Sequence, residues 1–281
     1  MLKKIRSLTD QYALLSAFIV FVLFDLLLVG LGRILSLLPG TLPMAYFAEV
    51  VLILLPVGLV FFFGFSRAFT KGSFLRGLLC ILPFATVQLL PLAVFFSENV
   101  GNPEVSFKPW YLIVYGVFGI LGIGIREECF YRATVQNILA KKYANSVKGI
   151  WITVLVGAAI FGLSHATNLF FGMDPFAVFT QVVTTACLGL LFGAVYLRSG
   201  NLWILILVHT LTDLAGLAGS TFLRNYSDIE DMNRLTMSWM SLVVHLIYVG
   251  LAIFLLRPSK CKEIRESFCF AKEETETATC S

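Results

Sequence analysis

Charge is scarce in this chain of 281 residues: Asp, Glu, Lys and Arg together make up 14% of it. An ordinary soluble domain carries roughly a quarter. Hydrophobic residues make up 58% and the mean hydropathy is +0.86. A soluble globular domain is excluded on this ground, and the chain falls in the membrane class. Histidine is scarcer still, with three in all, His165, His209 and His245. Paired cysteines are missing: Cys80, Cys129, Cys187, Cys261, Cys269 and Cys280 form no CxxC. That argues against a zinc ribbon or a redox motif and predicts free thiols facing a reducing compartment. The HExxH signature of soluble metalloproteases is also absent. No CaaX box ends the chain, since Cys280 is next to last.

What the chain has in quantity is long apolar runs. A spanning helix needs about 20 mostly apolar residues. Eight stretches qualify, approximately 11–30, 44–65, 78–96, 110 into the segment REECFYR at 126–132, 149–171, 176–197, 202–222 and 235–256. The first follows a basic start, "MLKKIRSLTDQ". It is longer than a signal-peptide core, no small-residue cleavage site stands out, and it reads as a retained span. The predicted fold is therefore all-α, a polytopic integral membrane protein of about eight transmembrane helices with a buried polar site. Residues 1–256 form a single transmembrane domain whose motif-bearing core lies at about 110–222. Residues 257–281 form a polar, Glu/Thr-rich tail, expected to be disordered.

Loop charges set the orientation. Fifteen Lys and Arg fall on the side of the N-terminus, the even-numbered loops and the tail; four, Arg33, Lys108, Arg224 and Arg234, fall on the other. Both termini are expected in the cytoplasm, as an even number of spans requires. In a prokaryote the location would be the cell membrane.

Ionisable side chains inside a bilayer cost about 2.5–3.5 kcal/mol each on insertion scales and are usually functional. The candidates are Asp25, Glu49, Glu127, Glu128, Arg132, His165, His209, Asp213 and His245. Glu128 and Arg132 are spaced i,i+4 and can pair on one helix face, which leaves Glu127 without a partner on its own helix. His165 ends "FGLSH", with Phe161 one turn before it. His209 begins "HTLTD", with Asp213 one turn after it. Measured from the nearest cytoplasmic basic residue at 1.5 Å per residue, Glu127, His165 and His209 lie about 21, 26 and 16 Å deep. They share one slab, provided the fourth helix continues past Glu127 to about Ala140.

A carboxylate and a histidine converging on one water make a general-base pair. A second histidine with a hydrogen-bonding neighbour can stabilise an oxyanion. Hydrolysis of a carbonyl compound follows, with a peptide bond the plausible target. The same donors, Glu127, His165 and His209, would also suit a zinc ion with an open position. Asp25 and Glu49 stay open between packing and substrate access. His245 matches no motif and reads as an interhelical hydrogen-bonding residue. Gly116, Gly119 and Gly122 read as sites of close helix packing.

These motifs resemble those of the CPBP intramembrane proteases, also called Abi proteins, the family of the type II CAAX prenyl endopeptidase and of bacteriocin-processing and self-immunity proteins. "EECFYR" is similar to the family's EExxxR, "FGLSH" to its FxxxH and "HTLTD" to its HxxxN/D. The run "GLLFGAVYLRSGNLWILILVH" resembles the family's approach to its last motif, with Gly193, Tyr196, Gly200, Leu202 and Trp203 in place. The resemblance covers roughly 116–218. Two positions depart from it: Leu205 stands where a proline is common, and Asp213 where the prenyl endopeptidases have asparagine. Ionised, Asp213 accepts a hydrogen bond but donates none to an oxyanion.

The resemblance implies an intramembrane endopeptidase, glutamate-dependent or metallo-type. Glu127 would be the general base, His165 would hold the water, and His209 would face the oxyanion with Asp213 orienting it. Glu128, Arg132 and Phe161 would support them. Implied partners are the bilayer, a membrane-associated peptide or protein substrate and a membrane regulatory partner; no nucleic acid is implied. The alternative is a non-catalytic regulatory or bacteriocin self-immunity protein that acts by binding.

Overall fold

A computed structural model describes residues 2–233 and 239–267. The chain runs α1 (Leu2–Gln11), α2 (Ala13–Leu35), α3 (Leu42–Phe63), α4 (Phe74–Asn99), α5 (Trp110–Glu127), α6 (Asn137–Tyr143), α7 (Val147–Ser164), α8 (Pro175–Ser199), α9 (Leu202–Gly216), α10 (Ala218–Phe222), α11 (Asp228–Asn233), α12 (Trp239–Leu255) and α13 (Pro258–Ser267). Among the described residues there is no strand, only an isolated antiparallel bridge between Phe107 and Leu223. The all-α class is as expected.

The helix ends follow from local chemistry. Ser73, Ser146 and Asn201 each accept a hydrogen bond from the backbone N–H three residues on, closing the first turns of α4, α7 and α9. Asp174 does the same for α8 from Phe176 and Ala177, with Pro175 at the first helical position. α8 stops at Gly200, whose φ of 64° is left-handed.

α8 lies at the centre, packed by α4, α7 and α12. From Leu188 to Ser199 every residue of it is buried, which is how a helix apolar on all sides comes to rest. α2, α3 and α4 bury few residues and turn Phe18, Leu23, Leu26, Leu54, Leu79 and Leu90 outward, as helices facing lipid do. Close approaches need glycine at several places, two of them beside the motif residues. A Cβ on Gly189 would lie 2.9 Å from the Phe161 ring, and one on Gly124 would lie 2.6 Å from the Thr210 hydroxyl. Gly116 and Gly122 also pack closely, against Thr221 and Ile53.

The bundle has two distinct ends. At one, Arg6 donates to the carbonyls of Phe61 and Phe62, Lys141 pairs with Asp10, Ser73 N–H donates to Ser199, and Trp203 donates to Phe69. At the other, Lys108 donates to Ser220 and Arg224 to Phe107. The loops counted as basic thus cluster together.

Three sequence expectations need adjustment. Five described helices are long and apolar enough to cross a membrane, or six if the bent pair 243–255 and 258–264 is one span; the count of eight is not confirmed. α9 is a shorter apolar helix, ending at Gly216 and followed by the five-residue α10. The tail does not lose order at Arg257: Pro258–Ser267 is helical, with Cys261 and Ile264 buried and Glu263 bonded to Arg198 at 2.8 Å. Its few apolar residues share one face, three apart, and so dock despite the polar composition. The remainder, 268–281, with Cys269 and Cys280, lies outside the described residues. Cys80, Cys129, Cys187 and Cys261 form no disulfide.

The docking of α13 is testable. Replacing the fully buried Ile264 by Ala should cost about 2–5 kcal/mol, read as a lowered unfolding midpoint in detergent, whereas Lys262→Ala on the exposed face should leave it unchanged. The Lys260 hydrogen bond, followed by that from Arg198, holds the Glu263 carboxyl down at about 2. A depressed carboxyl stabilises above its ordinary value of 4.5 and loses its contribution as pH falls towards 2. Protease protection of α13 should therefore be constant from pH 5 to 8 and decline only below about pH 4.

Candidate active site

Helix α5 does not end at its last residue. After Glu127 the chain continues through a π-helix, Glu128–Gln136, directly into α6. The helical course thus continues past Ala140 to Tyr143, the continuity that the depth argument assumed. All nine residues of the π segment are buried. The wider turn leaves Thr134 Oγ1 donating to the carbonyl of Cys129, five residues back. π segments of this kind often mark functional positions. Side chains anchor this one to α8: Gln136 donates to the Gly193 carbonyl at 2.8 Å, and Asn137 to the Tyr196 hydroxyl at 3.1 Å.

The two adjacent glutamates separate in role because they point apart. Glu128 is fully buried. Its Oε2 lies 3.2 Å from Arg132 Nε, the expected i,i+4 pair. Its Oε1 lies 2.7 Å from His209 Nδ1 on α9. A carboxylate already facing a guanidinium accepts here, so Nδ1 carries the proton and Nε2 turns the other way. Nε2 then faces Glu127 Oε2 and Asp213 Oδ2, each at 3.5 Å. One imidazole thus stands among three carboxyl groups, from α5, the π segment and α9.

Arg132 is fully buried as well. Nη1 and Nη2 donate to no oxygen. The guanidinium lies over the Phe161 ring at 4.8 Å and near Phe192 at 5.8 Å, so cation–π attraction takes the place of hydrogen bonds. Phe161 is a hub: its ring meets Tyr131, His165 and His209 edge-on. Its carbonyl accepts from His165 Nδ1 at 3.0 Å. A carbonyl only accepts, which leaves Nε2 as the other working atom of that ring.

A cavity of about 630 Å³ opens beside this cluster. Glu127, His165, His209, Asp213 and Phe161 line it, whereas Glu128 and Arg132 lie behind its wall. Glu127 Oε2 has no hydrogen-bond partner. The structure therefore brings together all seven residues singled out by motif, four of them with ionisable groups on the cavity.

Of the residues left open, Asp25 of α2 lines the same cavity. Glu49 does not; it pairs with Arg126 at 3.7 Å. His245 lines the cavity wall from α12, its ring 5.4 Å from that of Tyr248. Sequence reasoning passed over Thr184 and Thr185 of α8 and Tyr131 of the first motif, all on the cavity. A signal for the first two existed: polar residues at 180, 181, 184 and 185 recur at helical spacing in an otherwise apolar span.

Zinc does not fit this arrangement. Among the described residues no three His, Cys, Asp or Glu side chains converge as ligands. The Nδ1 bonds of His209 to Glu128 and of His165 to a carbonyl do not themselves oppose a metal, since they leave Nε2 of each ring as the other working atom.

Fold and site define a polytopic helical membrane protein with a carboxyl–imidazole centre buried among its helices. Residues 109–215 match the family described as type II CAAX prenyl endopeptidase Rce1-like. The chain is also similar to CAAX prenyl protease 2 of Saccharomyces cerevisiae, 24% identical over 195 residues, which covers 61% of this chain and 61% of that one. No solved structure matches the chain. The first two findings bear out the resemblance to the CPBP proteases that the three motifs suggested.

The buried pair carries a stability prediction. Arg132→Met strands the Glu128 charge and should destabilise by about 3–5 kcal/mol. Adding Glu128→Gln should recover part of that loss, because the uncompensated charge is gone. Thermal unfolding of the single and double variants in detergent reads this directly, and equal losses would mean that the ion pair is not what Arg132 serves.

Proposed function

We propose that this protein is an intramembrane endopeptidase that hydrolyses a peptide bond in a membrane-associated peptide or protein with water activated by Glu127. The observation that carries the reading is Glu127 itself: a carboxyl group on a cavity, with one oxygen free of hydrogen bonds and an imidazole 3.5 Å away. The family match over 109–215 supports it, since that segment holds all three motifs.

The residues divide the reaction among them. A water beside Glu127 gives a proton to its carboxylate, and the water oxygen adds to the scissile carbonyl carbon. His165 Nε2 holds that water. The tetrahedral oxyanion is met by the second proton of a doubly protonated His209, on Nε2, the imidazolium being favoured by its three carboxyl neighbours, held from behind by Glu128 and oriented by Asp213. Glu127 then returns the proton to the leaving nitrogen as the C–N bond breaks. Asp213 acts on His209 and not on the oxyanion, since a carboxylate donates no hydrogen bond. Surrounding helices keep bulk water out, which strengthens each of these interactions. The clustering of basic loops favours cytoplasmic termini.

Glu127→Gln keeps the shape and removes the base, so cleavage should fall by roughly 10²–10⁴ fold. Membrane-protein N-termini compared between cells expressing wild type and Glu127→Gln at matched levels measure this. New termini confined to wild type identify substrates. Identical termini in both, with any cellular phenotype retained by the variant, would replace proteolysis by action through binding.

A further inference from the structure

The cavity has an imbalance that the hydrolytic machinery does not explain. Five threonines line it, Thr167, Thr180, Thr184, Thr185 and Thr212. Each gives its hydroxyl proton to a backbone carbonyl three or four residues earlier, at 2.7, 2.8, 3.1, 2.6 and 2.9 Å. Such back-bonding is ordinary for threonine in an apolar helix. Its consequence here is that five hydroxyl oxygens around one cavity can only accept. Asp25, Asp228 and Asp231 add three further carboxyl groups to the wall, outside the Glu127–His209–Asp213 cluster, and of these Asp231 also accepts from the Ser220 N–H.

Several donors on the same wall are engaged elsewhere. The Arg126 charge is offset by Glu49 at 3.7 Å, although its Nη1 makes no hydrogen bond. The Gln88 amide donates to the Tyr248 hydroxyl, and the Asn168 amide to Gln181. A chamber with acceptors in excess binds best what brings its own N–H groups and positive charge. A guanidinium offers five donors and an ammonium three. Carboxyl groups in a low-dielectric recess also focus the potential that attracts a cation.

We propose that this cavity selects peptide segments with a Lys or Arg side chain close to the bond held at Glu127. Cleavage at Glu127 rests on the protease reading; the preference for a basic side chain rests on the threonine and carboxyl acceptors alone.

The test uses the full chain in lipid nanodiscs and a library of apolar-anchored peptides made in matched sets, with Arg, Lys, norleucine or Glu at each position beside the anchor. Binding is read on Glu127→Gln, which prevents turnover, and cleavage is read on wild type by mass spectrometry. Arg or Lys peptides should bind roughly tenfold or more tightly than their norleucine twins, the scale of one charge-assisted hydrogen bond. Combining Thr184→Val, Thr185→Val and Asp228→Asn should bring that ratio towards one while leaving norleucine peptides bound as before, which also shows the variant is folded. Equal binding of the set, a preference for Glu, or a ratio indifferent to the three substitutions would overturn the inference. Cleavage without a basic preference would overturn it and leave the protease reading standing. A basic preference in binding with no peptide cleaved would do the reverse.

Discussion

A carboxylate without solvent has to find its counter-charges in the protein, and Glu128 finds two. It sits between Arg132 on its own π segment and His209 on α9. Removing such a charge from water is affordable only with close partners on both oxygens. That requirement draws α9 against the junction of α5 and the π segment. Arg132 in turn lies on Phe161 and Phe192, which brings in α7 and α8. One buried charge therefore specifies how four elements meet.

The placing of Glu127 follows from that. Adjacent residues on a helix project about 100° apart. With Glu128 turned inward to its partners, Glu127 is turned to the cavity. The same arrangement sets His209, whose Nδ1 is held by Glu128 and whose Nε2 is left to face Glu127 and Asp213. Two neighbouring glutamates of the same chemistry thus do different work: one positions an imidazole and the other offers an oxygen to the chamber. An arginine resting on aromatic faces is suited to this core, since its charge is balanced without opening a path for water.

Much of the site was legible in the chain. A polar cluster stands out in an apolar span because each such residue is costly there, and the three clusters lie on helices that meet at one cavity. Local spacing was reliable: the Glu128–Arg132 pair and the Phe161–His165 turn both lie where i,i+4 geometry puts them. Gly193, Tyr196 and Trp203, read only as matching residues, prove to hold the π segment and a loop in place. The second partner of Glu128 was not legible. His209 lies 81 residues away, and no periodicity relates the two. The tail was misjudged for a similar reason: Ile264 and Cys261 are too few to signal an amphipathic helix, and only a receiving surface with Arg198 on it gives that helix a place.

The sequence by itself determined that this is a helical membrane protein, where most of its helices run, and which few ionisable residues are set into them. Those features rest on composition and on backbone hydrogen bonding within a segment, and both are local. Tertiary structure decided which glutamate faces the cavity, which atom of His209 is turned to it, and that Asp25 and a face of threonines join the same chamber. Those outcomes depend on how distant helices meet, and helices meet so that buried charge and close-packed side chains are satisfied together.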